Sequence, residues 1–281
     1  LTTADDIVVL DSFGHSNSQT NIVDLSTGGV GQTSITVSGG MAYSTDQSLT
    51  GPSVSMKTTG GASDEITNGT NSPSSTAFKN LPSETNYTVE TWFYPLSSEN
   101  YGSNSDSLMD FGQILQFEYD GSQNLYVYNA FSGGGSGANA NLGTFTKDQW
   151  NHVAYVKQGT TAYIYKNGVS TATGTAYSSN FTDNFFRYGS HRSSGTRNFA
   201  GYLDLLRVSK RAIYPSGTSF TPADEWNYNI TTVNATGSFE GATITAGAST
   251  SKMGAVITYQ DNAGTNALNT DIILKLSADN G

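Results

Sequence analysis

The chain has no cysteine, which removes disulfide frameworks and thiolate metal sites from consideration and leaves the redox compartment open. Charge is also scarce: 13% of residues are Asp, Glu, Lys or Arg, against about 25% in an average soluble domain. Basic residues are the rarer sign, with 13 Lys and Arg against 23 Asp and Glu and a formal charge of −10. Spread thinly, they make no stripe able to displace counterions from phosphates, which excludes nucleic acid as a partner and disfavours anionic membrane surfaces. Apolar runs stop at the size of "IVVL", far short of the ~18 residues of a membrane span, so no membrane insertion is expected. No signal peptide is visible.

Ser, Thr, Asn and Gly fill the space the charges leave, and Tyr, Phe, Val and Ile recur among them at strand-like spacing. That pairing reads as an all-β protein with many turns and a neutral polar surface suited to neutral or cationic partners, neutral glycans among them. Strand candidates are 6–10, 34–39, 53–58, 86–95, 114–120, 124–131, 152–158, 161–167, 202–210, 254–260 and 271–277, each bounded by Gly, Asn, Asp, Ser or Pro. No window keeps an apolar period of 3.6 over three turns. "QGTT" at 158–161 and Asn167-Gly168 mark two turns, so 150–172 is expected to be a three-stranded meander. After "FTPADEW" (220–226) the chain turns aromatic-poor and rich in Ala, Thr and Gly. Two domains are expected, a β-sandwich over 1–226 and a small β module over 227–281. The start at Leu1 and the stop after "LKLSADNG" suggest a processed product or a fragment of a longer polypeptide.

Motifs for chemistry are incomplete. "GGGSGA" (133–138) matches a dinucleotide fingerprint in form, but no helical stripe follows it, and it is read as a loop between strands. In "FEYDG" (117–121), Glu118 and Asp120 share one face of a strand, as the paired carboxylates of a polysaccharide hydrolase would, yet the third acid of that pattern is replaced by neutral residues. There is no nucleophile elbow and no His pair at zinc spacing. In "WNHVAYVKQGTTAYIYKNGV" (150–169), alternation sets His152, Ala154 and Val156 against Val153 and Tyr155, so His152 is read as a packed, hydrogen-bonded residue rather than a base.

Four stretches, in order, resemble laminin G-like, concanavalin A-like lectin domains. "SMKTTGGASDEI" resembles that family's N-terminal strand with its Gly-rich turn and acidic residue. "NYTVETWFYP" resembles its first core strand and "FTKDQWNHVAYVKQGTTAYIYKNGV" its central meander. "FFRYGSHRSSGTRNFAGYLDLLRVSKRAIYP" carries the glycine after a strand and then F-x-G-x-[hydrophobic]-D with a following Arg, here Gly189, Phe199, Gly201, Asp204 and Arg207. The ending "RVSKRAIYPSGTSFTP" resembles versions in virion proteins of marine bacteriophages, as does the module at the C-terminus.

The resemblance implies an antiparallel jelly-roll sandwich in a non-enzymatic protein of the virion surface, extracellular and homo-oligomeric. It would be a fibre, horn or decoration component, attaching to host-surface glycans or contacting other virion proteins. Tyr101, Tyr128, Phe131, His191, Arg192 and Arg197 are the candidate ligand-binding residues, with Tyr128 and Phe131 fitting a core position equally well. No cofactor is expected beyond a structural calcium ion, for which Asp64 and Asp204 are the weak candidates; an Asp before "LLRV" also fits a role of holding backbone amides or pairing with Arg207. A purely structural decoration protein and a hydrolase using Glu118 and Asp120 remain the alternatives.

Overall fold

A computed structural model describes residues 5–223 apart from 11, 13–14, 23, 27–34, 51–52, 62, 69–78, 99–105, 113, 134–137, 183–185, 192–196 and 215. All described residues belong to the first of two units of the chain, Leu1–Trp226; the expected module at 227–281, with its two strand candidates, lies outside them. The described elements are almost entirely strands: β1 (Asp6–Leu10), β2 (Thr36–Ser38), β3 (Ala42–Ser44), β4 (Ser55–Thr59), β5 (Glu65–Thr67), β6 (Asn86–Pro95), β7 (Asp106–Phe111), β8 (Leu115–Tyr119), β9 (Asn124–Phe131), β10 (Ala138–Thr144), β11 (Asn151–Gln158), β12 (Thr161–Lys166), β13 (Val169–Thr175), β14 (Phe186–Tyr188) and β15 (Ala200–Ser209). One short 3-10 turn, Leu81–Ser83, interrupts them. Among the described residues no helix is long and apolar enough to cross a membrane.

Two antiparallel sheets form the expected sandwich. Sheet A runs β13-β12-β11-β6-β15-β4-β3, with β1 also pairing β15, and sheet B runs β10-β9-β8-β7-β14-β5-β2. Period-two alternation decides what goes between them. Val89 and Phe93 of β6, Phe117 of β8, Val127 of β9 and Tyr155 of β11 are completely buried there. Four rings interlock across the core: Phe93 meets Phe145 and Phe199 edge-on at 5.9 and 6.1 Å, and Tyr119 meets the same two at 5.4 and 6.1 Å. Such edge-to-face pairs add about 0.5–1.5 kcal/mol each beyond the area they bury.

The expected meander is β11, β12 and β13, and its second turn has Asn167 and Gly168 at φ 51° and 75°, the left-handed pair a type I′ turn demands. Five strands escape the sequence reading: β3, β5, β7, β10 and β14. Three of them have only three residues, too few to show a period. In "DSLMDF" of β7 acidic residues break the apolar pattern, and "ANANLGT" of β10 has almost no strand-favouring side chain. The loop read at 133–138 therefore gives way to strand from Ala138 onward.

Sheet A is organised by one bulge. Opposite β6, the register of β15 runs Leu203↔Phe93 and Asp204↔Trp92, then resumes at Arg207↔Glu90. The extra residue, with Leu205 at φ 50°, reverses the strand's alternation. Leu203 before it and Leu206 and Val208 after it all face the core, while Arg207 turns outward onto Glu90. The bulge is held from both sides. The Asp204 carboxylate accepts from Leu205 N–H (2.8 Å) and from the amide and hydroxyl of Ser12 (3.1 and 2.7 Å). Its carbonyl receives the hydroxyls of Thr91 (3.0 Å) and of Tyr188 from sheet B (3.3 Å).

Glu90 itself is fully buried. Arg207 grips Oε1 through Nε (2.6 Å) and a second nitrogen, while Oε2 accepts from Tyr214 O–H (2.5 Å) and lies 3.1 Å from His152 Nε2. An ionised carboxylate only accepts, so Nε2 carries the imidazole proton; Nδ1 is buried without a hydrogen-bond partner. His152 is thus packed and hydrogen-bonded, as its alternation predicts. A strap from Lys210 to Ala223 seals this face. Tyr214 and Phe220 stack at 3.7 Å and cover Ala154, Val156 and Tyr165, and Trp92 Nε1 donates to Ala223 O at 2.8 Å.

Burial alone would raise the Glu90 carboxyl, but the Arg207 charge and the hydrogen bonds from His152 and Tyr214 outweigh it and hold it at about 2, against an ordinary 4.5. A carboxyl depressed on folding stabilises above its unfolded pKa and loses that contribution as pH falls through the window from about 4.5 to 2. Urea unfolding is therefore expected to weaken by about 3 kcal/mol across that window, with Glu90→Gln showing a flatter profile. Arg207→Met, which strands the carboxylate, is expected to cost about 3–5 kcal/mol at pH 7, and a loss below about 1 kcal/mol would contradict the assignment.

Candidate functional site

The outer face of sheet B carries the other polar cluster. Along β8, Leu115, Phe117 and Tyr119 enter the core and Gln116 and Glu118 point away; along β9, Leu125 and Val127 enter and Tyr126 and Tyr128 point away. The register sets Gln116 opposite Tyr128, Glu118 opposite Tyr126, and Asp110 of β7 on the other side of Gln116. Beside this row lie residues 189–191 and 197–199, the described ends of the segment that follows β14. Gly189, at φ 87°, makes the turn that only glycine adopts cheaply, donating to Leu108 O (2.8 Å) and accepting from Phe199 N–H (2.9 Å). Bridges Ser190↔Asn198 and Ser107↔Asn198 pin the segment's two ends, which sets His191 and Arg197 onto the β8 side chains.

Arg197 Nη2 pairs with Glu118 Oε2 at 2.5 Å, and His191 Nε2 lies 3.4 Å from Glu118 Oε1. The same nitrogen is 3.3 Å from Arg197 Nη1 and 3.4 Å from Gln116 Nε2, which also donates to Asp110 Oδ2 at 3.0 Å. Glu118 and His191 side chains are 3% and 4% exposed, whereas Arg197 is 25% exposed. Further along the sheet, Glu65 Oε2 takes Arg187 and Ser190 Oγ, the latter at 3.0 Å. The rings of Tyr126 and Tyr128, half-buried and tilted, lie 6.0 Å apart, with Asn139 and Asn141 of β10 exposed beside them. Two half-buried aromatic rings and exposed amides, beside a buried charge-paired carboxylate, are the groups that read vicinal hydroxyls and C–H faces of a sugar ring.

The structure thus brings Tyr128, His191 and Arg197 together and adds Glu118, Gln116, Asp110 and Tyr126. The missed residues left a trace in "ILQFEYD" and "NLYVYNAF", whose alternation puts Gln116 with Glu118 and Tyr126 with Tyr128. Phe131 is not part of the group. It follows Asn129, which has φ 53°, and its ring packs on the core so close to Gly174 that an added Cβ there would sit 2.8 Å away. Tyr101 and Arg192 lie outside the described residues.

Asp120, the second acid of the hydrolase alternative, holds the turn after β8. It accepts from the amides of Ser122 and Asn124 (both 2.9 Å), from the Asn124 side chain and from Tyr126 O–H (3.2 Å). Burial acts to raise its carboxyl, and these donors, Asn124 first, override it and hold it below the usual range.

The two calcium candidates are surrounded by donors. Asp64 accepts from the amides of Gly40 (2.6 Å) and Thr59 (2.8 Å) and from the hydroxyls of Thr58 (3.2 Å) and Thr59 (2.8 Å). Desolvation would raise its carboxyl, and those bonds lower it instead. The fit is tight: a Cβ on Gly39, at φ 72°, would lie 2.2 Å from Asp64 Oδ1. Asp204 is committed to Ser12 and Leu205, and Arg207 pairs with Glu90 rather than with it. Among the described residues no three or more His, Asp or Glu side chains form a cluster able to hold a metal ion.

Residues 67–217, more than half of the chain, match the laminin G-like family described as the concanavalin A-like lectin/glucanases superfamily. No curated protein sequence matches the chain. Among solved structures, the binding domain of Paraclostridial Mosquitocidal Protein 1 superposes with a TM-score of 0.53 at 14% identity, over 75% of this chain and 50% of that one. The botulinum neurotoxin serotype D binding domain gives 0.51 at 11% identity, over 75% and 49%. Trypanosoma rangeli sialidase in complex with sialic acid gives 0.52 at 12%, over 76% and 32%. The chain spans about half the length of the two toxin domains and about a third of the sialidase. At these identities the likeness is one of fold.

Because its four bonds come from N–H and O–H donors, Asp64 is expected to serve as a turn anchor. Asp64→Ala should cost on the order of 3 kcal/mol in urea unfolding, and millimolar Ca²⁺ should leave the melting temperature of the wild type unchanged.

Proposed function

The chain belongs to the concanavalin A-like lectin/glucanases superfamily, and from that premise we propose that its sandwich recognises a saccharide on the outer face of β8 and β9. The observation that carries this reading is the placement of Tyr126 and Tyr128 beside the Glu118–Arg197 pair on one open sheet face. Aromatic surface supplies affinity for the apolar side of a sugar ring, and the pre-oriented carboxylate, guanidinium and amides supply direction for its hydroxyls. The ligand is a neutral glycan: Arg197 and Arg187 are each already paired with a carboxylate, and a net charge of −10 repels polyanions at long range.

The role we propose is non-enzymatic. Retaining hydrolysis needs a free nucleophile and a separate acid/base, and here Glu118 is gripped by Arg197 while Asp120 holds its turn. The protein acts outside the cell on the surface of a phage particle, as copies of itself in a homo-oligomer, and attaches the particle to host-surface glycans; the phage-like ending "RVSKRAIYPSGTSFTP" supports that setting. Decoration of the particle without a glycan ligand is the competing reading.

A glycan array is expected to return neutral oligosaccharides, with the Tyr126→Ala, Tyr128→Ala double variant losing at least about tenfold in affinity, or ~1.4 kcal/mol, while keeping the wild-type melting profile. An empty array would favour decoration, and release of reducing ends lost in Glu118→Gln would establish the hydrolase.

A further inference from the structure

One imidazole nitrogen on this face serves three partners that no single protonation state satisfies. His191 Nε2 lies 3.3 Å from Arg197 Nη1 and 3.4 Å from Gln116 Nε2. Both are permanent donors. The direction of the Gln116 amide is fixed because the same nitrogen donates to Asp110 Oδ2 at 3.0 Å. The third partner, Glu118 Oε1 at 3.4 Å, is an acceptor. With a lone pair on Nε2, the ring accepts from Arg197 and Gln116 and leaves Glu118 to Arg197. With both ring nitrogens protonated, Nε2 donates to Glu118 and the cationic ring faces a guanidinium of like charge.

We infer that His191 is the positioning residue of the saccharide site. As the neutral ring it holds Arg197 across Glu118, and as the cation it displaces Arg197, so that the recognition geometry is lost at acid pH. This rests on the reading of the β8–β9 face as a saccharide site. Which partner moves follows from exposure: the His191 side chain is 4% exposed and walled in, and Arg197, at 25%, has solvent to swing into. Among the described residues, the charged and titratable groups around the ring are Glu118 from β8, Asp110 from β7 through Gln116, Tyr126 and Tyr128 from β9, and Arg197 on its own segment, while Arg192, next in sequence, lies outside them. The Glu65–Arg187 pair stands beyond Ser190. Of these, only the imidazole ordinarily changes charge between about pH 5 and 8.

Two measurements test the inference separately from the site reading. In the protein without saccharide, NMR should show the Arg197 guanidinium signals shifting and broadening on the same pH curve as the His191 ring proton. Arg197 signals that stay unchanged while His191 titrates would overturn the inference whether or not any glycan binds. On an array of neutral bacterial-surface oligosaccharides probed at pH 7.5 and 5.5, wild-type affinity should fall at least about tenfold at the lower pH. His191→Gln, whose amide keeps an acceptor for Arg197 without a titratable charge, should show nearly the same affinity at pH 5.5 as at pH 7.5, whatever its absolute affinity. Equal losses in both proteins would overturn it as well.

Discussion

The buried pair of Glu90 and Arg207 is the constraint around which sheet A is arranged. A carboxylate removed from water is tolerable only when its charge and lone pairs are fully met, and every structure near Glu90 serves that requirement. The bulge in β15 is what makes Arg207 available, since without the extra residue the strand's parity would send the guanidinium toward the core and leave Glu90 facing leucine. Asp204, Ser12, Thr91 and Tyr188 then hold the bulge, so residues from the N-terminal segment, both sheets and the C-terminal strand all contribute to one ion pair. The strap supplies Tyr214 to the remaining oxygen and seals the face against water. Loss of any of these parts would expose or orphan the carboxylate, so in this chain the stretch from Phe199 to Asp204 and the following Arg207 act as one structural device.

Among the described residues, sheet B repeats the same chemistry with a partly exposed guanidinium. Glu118, Arg197 and His191 form a second Glu–Arg–His group, on the opposite outer face of the sandwich. No described strap stacks aromatic rings over this second group as Tyr214 and Phe220 do over the first. Its guanidinium is partly exposed, and two tyrosines stand beside it half-buried. A network that is fully enclosed fixes a fold; one left open at its edge keeps donors and acceptors for something else. The contrast between the two groups, rather than the presence of charge, is what supports the proposal that the sheet B face carries recognition.

Much of the scaffold was legible in the sequence because its strands advertise themselves by alternation. The stretches 86–95, 124–131 and 151–166 are read almost to the residue, and with them the shared face of His152, Ala154 and Val156. What stayed hidden has physical reasons. β5, β14 and β3 are too short for a period, and β7 and β10 are polar because one of their faces meets the site or the solvent. Of the site, Glu118 was visible as a carboxylate on a strand, but its partner Arg197 is 79 residues away. No local pattern reports a pairing of that range. Asp204 shows the reverse case: its position suggested either a metal or backbone amides, and only the bulge at Leu205 explains why amides win.

The place of Glu118 also bears on how far a shared fold can be taken as a guide to activity. Membership in a superfamily of lectins and glucanases leaves both kinds of function open, because the fold supplies a polar sheet face and not a reaction. In this chain the carboxylate on that face is met by a guanidinium from a segment outside the strands, and the neighbouring acid is bound to the turn that follows β8. A glycosidic bond placed there would find an anion already neutralised and an acid already holding four donors. Hydroxyl groups placed there would find oriented donors and acceptors in a charge-balanced frame. The guanidinium that meets this carboxylate comes from the segment after β14, so the chemistry of the sheet B face is set by a connection between strands as well as by the strands themselves.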